Sequence, residues 1–220
     1  MIVVIQCASR KRRDAGFSRK EDGTRIKFVA DPGKAPSTTE FHYARPDDRR
    51  EDGASWREAL LQYNRTPDDN PLGLYPAYEL YENPIYRRFV EQVGIRKTYV
   101  LSAGWGLISA SFLTPCYDIT FSASAETYKR RVKSDTYRDL CMLPADSHES
   151  ILFFGGIDYI PLFCALTRYF KSPKTIFYNA ARRPEAPGCS LERFHTRTRT
   201  NWHYECANAF LDGKLSLTTR

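Results

Sequence analysis

TYVLSAGWGLISASFLTPCYDITF, residues 98–121, decides how this chain is read. Residues 98–101 carry β-branched and aromatic side chains that suit a strand packed on both faces. Ser102, Ala103, Gly104, Trp105 and Gly106 come next as a turn in which two glycines can take positive φ and let a ligand approach the backbone. Pro115, Tyr117 and Asp118 then lie on a second extended run. A hydroxyl, an indole, a phenol and a carboxylate therefore sit close together at one strand end, as in a binding site of an α/β protein.

Three further apolar runs, 1–7, 151–154 and 175–178, share this pattern, each ending in small, polar or glycine residues. Helical patterns separate them. Ser55 and Glu58 make a capping box ahead of 59–63, and Asn83-Pro84 caps a helix over 85–93. A basic helix is predicted over 125–140, another running from Asp158 toward Tyr169, and a last one from Asn201 to Gly213, where glycine suits a left-handed end. Strands alternating with helices predict an α/β fold: three layers, a mostly parallel sheet flanked by helices, in one domain over 1–220. The stretch 16–74, rich in Pro, Gly, Asp and Arg, reads as a long irregular insertion or lid after the first strand.

The 220 residues are 42% apolar, enough for a sizeable core, and carry a net charge of +7 with a pI near 9.1. A basic surface concentrates polyanions and gives salt-dependent affinity for nucleic acid. The six cysteines include no Cys-x-x-Cys pair, so they read as reduced core residues of a cytoplasmic protein, with no metal site expected. The apolar run 2–5 is too short for a signal peptide, and no window suits a membrane span.

Ligands of open parallel sheets bind beyond the carboxyl ends of the strands. By that rule the first strand offers Cys7, Ala8, Ser9, Arg10 and Lys11, the second Ser102 to Gly106, the third Gly155, Gly156, Asp158 and Tyr159, and the fourth Asn179. Ser109 stands where a dinucleotide fingerprint needs its third glycine, no P-loop string occurs, and Ser102 lacks a Gly-x-Ser-x-Gly elbow. No cofactor is therefore expected. The segment 193–204 interleaves Arg197 and Arg199 with rings ahead of a helix start at Asn201, which suits phosphates and unpaired bases. The cluster 129–133 reads as a solvated helix face. Asp118 and Asp158 are the candidate acid-base groups, Asp158 having a helix cap as its alternative, and His203 is a candidate acid or phosphate contact. Cys7 reads more readily as a buried thiol than as a nucleophile.

The opening Val3-Val4-Ile5-Gln6-Cys7-Ala8-Ser9-Arg10-Lys11, the element Leu80-Tyr81-Glu82-Asn83-Pro84-Ile85-Tyr86, and Leu101-Ser102-Ala103-Gly104-Trp105-Gly106-Leu107-Ile108 with Pro115-Cys116-Tyr117-Asp118 resemble the YaaA-like proteins. That group includes the peroxide-stress protein and related small bacterial domains. Ala8, Cys116 and Asn83-Pro84 depart from its pattern. The resemblance implies DNA binding, a fold similar to the uracil-DNA glycosylases, and a setting in bacterial stress response or phage defence.

The expectation is then a DNA glycosylase acting on a modified or damaged base flipped out of the helix. Trp105 or Tyr117 would stack on the base and Asp118 or Asp158 would act at the anomeric carbon. Cys7, Ser9, Ser102, Gly104, Gly106, Tyr159 and Asn201 would line the base site, and Arg10, Lys11, Arg197 and Arg199 would hold phosphates. A non-catalytic DNA-binding protein and a small-molecule nucleotide enzyme are the alternatives.

Overall fold

A computed structural model describes residues 1–67, 69–132, 134–198 and 200–215. Its strands are β1 (Ile2–Gln6), β2 (Ser18–Arg19), β3 (Arg25–Val29), β4 (Phe41–Ala44), β5 (Tyr75–Pro76), β6 (Thr98–Ser102), β7 (Gly106–Ser109), β8 (Leu113–Thr114), β9 (Tyr117–Asp118), β10 (Leu140–Cys141), β11 (Ile151–Phe154), β12 (Lys174–Tyr178) and β13 (Ser190–Arg193). The α-helices are α1 (Trp56–Tyr63), α2 (Ala77–Leu80), α3 (Ile85–Val93), α4 (Ile160–Thr167) and α5 (Trp202–Leu211).

The four apolar runs of the sequence are β1, β6, β11 and β12, and they are neighbours in one sheet of order β10-β7-β6-β1-β11-β12-β13. From β6 to β13 every pairing is parallel. β7 folds back antiparallel on β6, and β10 runs parallel to β7. β1 is central: Val3, Val4 and Ile5 are wholly buried, as a strand covered on both faces requires. Successive residues of β11 serve opposite layers. Phe154 meets Phe89 of α3 at 5.4 Å and Phe210 of α5 at 5.5 Å, whereas Phe153 stacks on Phe163 of α4 at 4.6 Å. That makes the α/β sandwich of three layers.

Capping obeys the local sequence at two helices. Ser55 and Glu58 form the capping box of α1, and the Asn83 side chain accepts from the Ile85 N–H at the start of α3. At α4 no side chain caps; a 3-10 turn, Ile157–Tyr159, leads into the helix, and Asp158 lies within that turn.

Two expectations are corrected. The 125–140 segment is not a helix among its described residues but a run of turns ending at β10. Its backbone is committed elsewhere: the Tyr128 carbonyl accepts from Ala30 and Asp31, and Arg131 pairs with Thr120. Arg131 is buried rather than solvated, in an ion pair with Asp139 and 3.9 Å from the Tyr137 ring centroid. The 16–74 stretch is also more than an irregular lid. It supplies β2, β3 and β4, and β3 pairs with both β4 and β9, so this small sheet carries Asp118 on β9 beside the main one. Phe28 of β3 plugs the junction against Trp56 at 5.9 Å and Trp105 at 5.0 Å.

Candidate functional site

The parallel strands stand in chain order 2-1-3-4-5, so the connection from β1 crosses to one side and later connections to the other. The two directions part between β1 and β11, the position where such sheets open a crevice at their carboxyl edge. A hollow of about 670 Å³ lies there. Its walls are the end of β1 (Gln6, Cys7, Ala8, Ser9 and Lys11), the end of β9 with the segment after it (Asp118 to Thr120, with Glu126 and Lys129), the turn after β11 (Gly156 to Tyr159), and the start of α5 (Thr200 to Tyr204).

Local chemistry builds these walls. The Gly156 N–H donates to Gln6 Oε1 at 2.6 Å, tying the two strand ends together across the floor. Gly155 has to be glycine, since a Cβ there would stand 2.3 Å from the Phe153 ring. Beneath the floor lies a cluster of phenols around Cys7. Cys7 Sγ is 3.3 Å from Tyr159 Oη, and the Tyr81 and Tyr117 hydroxyls are 2.9 Å apart. Burial pushes the Tyr81, Tyr117 and Tyr159 phenols well above their usual pKa, so the cluster stays protonated.

The charges of the hollow fall into two kinds. Asp118 is bracketed by Lys129 at 3.3 Å and Lys27 at 3.6 Å, and Lys129 also meets Glu126 at 2.6 Å. Partial burial works against the Lys129 ammonium, but Glu126 and Asp118 outweigh it and hold its pKa above the usual value. Lys11 is different. Its Nζ lies 4.1 Å from the Tyr117 ring centroid and, among the described residues, donates only to the Ala8 and Ser9 carbonyls, at 3.2 and 3.5 Å. Desolvation lowers its pKa, offset only in part by Cys7, Cys116 and Asp118. Asp158 is exposed at the rim and has no hydrogen bond or ion pair among the described residues.

α5 points its amino end at the hollow. Asn201 takes a left-handed conformation there, φ 60°, and no side chain caps the helix. His203 is 3% exposed, and its Nε2 has no hydrogen-bond partner among the described residues. Desolvation lowers its pKa to about 4, so it is a neutral ring at neutral pH and not a resident cation for a phosphate. The Thr196 and Thr198 hydroxyls donate to Glu205 and hold the preceding loop on the helix.

Of the residues singled out from sequence, Cys7, Ser9, Lys11, Asp118, Asp158, Tyr159, Asn201 and His203 converge on this hollow. The Ser102–Gly106 turn does not. Ser102 and Trp105 are wholly buried, Tyr117 is nearly so, and the rings expected to stack on a base have no free face. Ser102 Oγ donates to Tyr117 and accepts from the Gly104 and Trp105 N–H groups. Two buried arginines take the turn's carbonyls. Arg57 donates to Gly104 and Trp105, Arg131 to Ala103, with Asp47 and Asp139 as their counter-ions. Of the two glycines only Gly106 has positive φ, 89°, while a Cβ on Gly104 would press on Ile119 at 3.1 Å. Apart from the Trp105 indole N–H, which is buried without a partner among the described residues, the polar groups of this turn are satisfied internally and have little left for a ligand.

Arg10 and Arg197 are exposed and outside the hollow, and Arg199 lies outside the described residues. Gln6, Thr120, Lys129 and Tyr204 line the site without having been singled out as site residues. Gln6 did carry a signal, as the one polar residue closing an otherwise apolar strand. Among the described residues no group of three His, Cys, Asp or Glu side chains is placed to hold a metal ion, and no helix is long and apolar enough to cross a membrane.

Fold and site together define a doubly wound α/β protein with a polar, lysine-bearing hollow at its switch point. No family model, curated protein or solved structure matches the chain.

Proposed function

We propose that the hollow receives a nucleotide extruded from a DNA strand and that the protein cleaves its N-glycosidic bond, as the YaaA-like resemblance suggests. The carrying observation is the meeting, in one hollow of nucleotide size, of three carboxylates, Asp118, Glu126 and Asp158, with an uncapped helix amino end and two lysines. Loss of a base develops oxocarbenium character at the sugar, which a carboxylate stabilises, or attacks through an activated water. Lys129 and its neighbour Lys27 orient Asp118 through ion pairs, while Asp158, exposed at the rim, is free to meet water. The amino end of α5 suits a phosphate, and the net charge of +7 draws the polyanion in.

The test is incubation with DNAs bearing different base modifications, with mass spectrometry of released bases. A base should appear, and Asp118→Asn or Asp158→Asn should slow its release by at least about 100-fold with DNA affinity unchanged. No release across the panel, with DNA still bound, would leave a DNA-binding protein without this chemistry. The small-molecule reading has its own support, since Arg10 and Arg197 stand away from the hollow. It predicts affinity insensitive to salt, whereas a strand binder weakens steeply as salt rises.

A further inference from the structure

We infer that Lys11 is a nucleophile, and that the hollow processes abasic deoxyribose by forming an imine between Lys11 Nζ and C1′ and then cutting the strand. This rests on the reading of the hollow as a site for an extruded deoxynucleotide, but it needs no base to be present.

The lysines of the site differ in the feature that matters for this chemistry. Lys129 and Lys27 both face Asp118, and Lys129 adds Glu126, so each is engaged in an ion pair. Lys11 has no carboxylate within ion-pair range among the described residues. A carboxylate would fix its proton; an aromatic face and two carbonyls support a cation without demanding one. It is half-buried, with the Tyr117 and Tyr81 rings beneath its Nζ and Cys7 and Cys116 nearby. A desolvated lysine loses its proton more readily and then carries a lone pair, which is how amine nucleophiles are prepared. Lys11 also stands on the turn straight after the central strand, fixed by the backbone pairing of its own residue with Tyr81.

The steps balance without any oxidant or reductant. The neutral Nζ adds to C1′ of the ring-opened aldehyde, and the carbinolamine loses water to give an iminium. A carboxylate of the hollow, Asp118 or Asp158, removes a proton from C2′. The electron pair of that bond forms a C2′–C3′ double bond, and the C3′–O bond breaks with its pair leaving on the phosphate. Water then hydrolyses the conjugated iminium, returning the amine and releasing an unsaturated aldehyde on one fragment and a 5′-phosphate on the other.

The experiment uses the full chain, a DNA duplex and a single strand each containing one preformed abasic site, and sodium borohydride, which reduces an iminium to a stable amine. A covalent protein–DNA species should form, and peptide mapping by mass spectrometry should place the adduct on Lys11. Lys11→Arg and Lys11→Gln should lose it, while Lys97→Ala, altered at the far end of the sheet, should keep it. The wild-type map does not depend on any variant folding. An adduct on another amine, or no adduct with bound abasic DNA, would overturn the inference. A trapped Lys11 adduct alongside silence in the released-base panel would instead remove base excision and leave this activity standing.

Discussion

The turns after β6 and β1 look alike in sequence: each leaves a buried parallel strand through small residues and a serine, within a few positions of an aromatic ring or a lysine. Their fates differ. After β6 the chain turns back at once into β7, so the groups of residues 102–106 are enclosed by the second sheet and their carbonyls taken by Arg57 and Arg131. After β1 the chain runs out past the point where the sheet reverses direction, and Ser9 and Lys11 are left facing an opening between β1 and β11. A glycine-hinged turn is thus no sign of a site by itself. What separates the two is whether topology supplies a neighbour to fill the space.

Stability should divide along the same line. Arg57→Ala removes one member of a pair in which Arg57 is 3% exposed, and strands Asp47 and two turn carbonyls. It should cost about 3–5 kcal/mol in urea unfolding. Asp158→Asn, at the exposed rim, should cost less than about 0.5 kcal/mol. Equal costs would mean that the hollow is as much part of the structural frame as the turn.

The glycines give a finer comparison. Gly106→Ala should destabilise by at least about 1–3 kcal/mol from its φ of 89° alone, with more from a Cβ placed 2.4 Å from the Leu140 carbonyl. Gly156→Ala has an ordinary φ of −69° and meets only the end of the Gln6 side chain, at 3.3 Å, which can give way at the cost of at most its one hydrogen bond from the Gly156 N–H. Its thermal midpoint should stay near that of the wild type while nucleic-acid binding changes. A large stability loss at Gly156 would show the floor of the hollow to be as rigid as the turn.

The sheet was legible because its four central strands are apolar runs ending in small residues, and burial on both faces leaves that mark in local sequence. Ser55 and Asn83 were legible for the same local reason, each needing only the next few residues. The second sheet was not, because β3 and β9 are two-to-five-residue strands joined across almost 90 positions, and no local pattern announces such a pairing. The misreading of 125–140 has a kindred cause. An arginine run looks solvated unless one knows that Asp139 and the Ala103 carbonyl wait for Arg131 inside. The rule about strand ends placed Cys7, Ser9, Lys11, Asp158 and Tyr159 together, and they do line one hollow. The same rule, applied to β6, pointed to Trp105, since it does not say which strand ends stay open.

If ligand chemistry belongs to the hollow between β1 and β11 and not to the 102–106 turn, a bound strand must shield the one and leave the other alone. Hydrogen–deuterium exchange with and without an abasic single-stranded oligonucleotide reads that difference segment by segment. Added protection is expected in 7–11, 118–129, 156–159 and 200–204, with exchange in 102–106 unchanged. Protection centred on 102–106, with none around the hollow, would place the site in the turn instead.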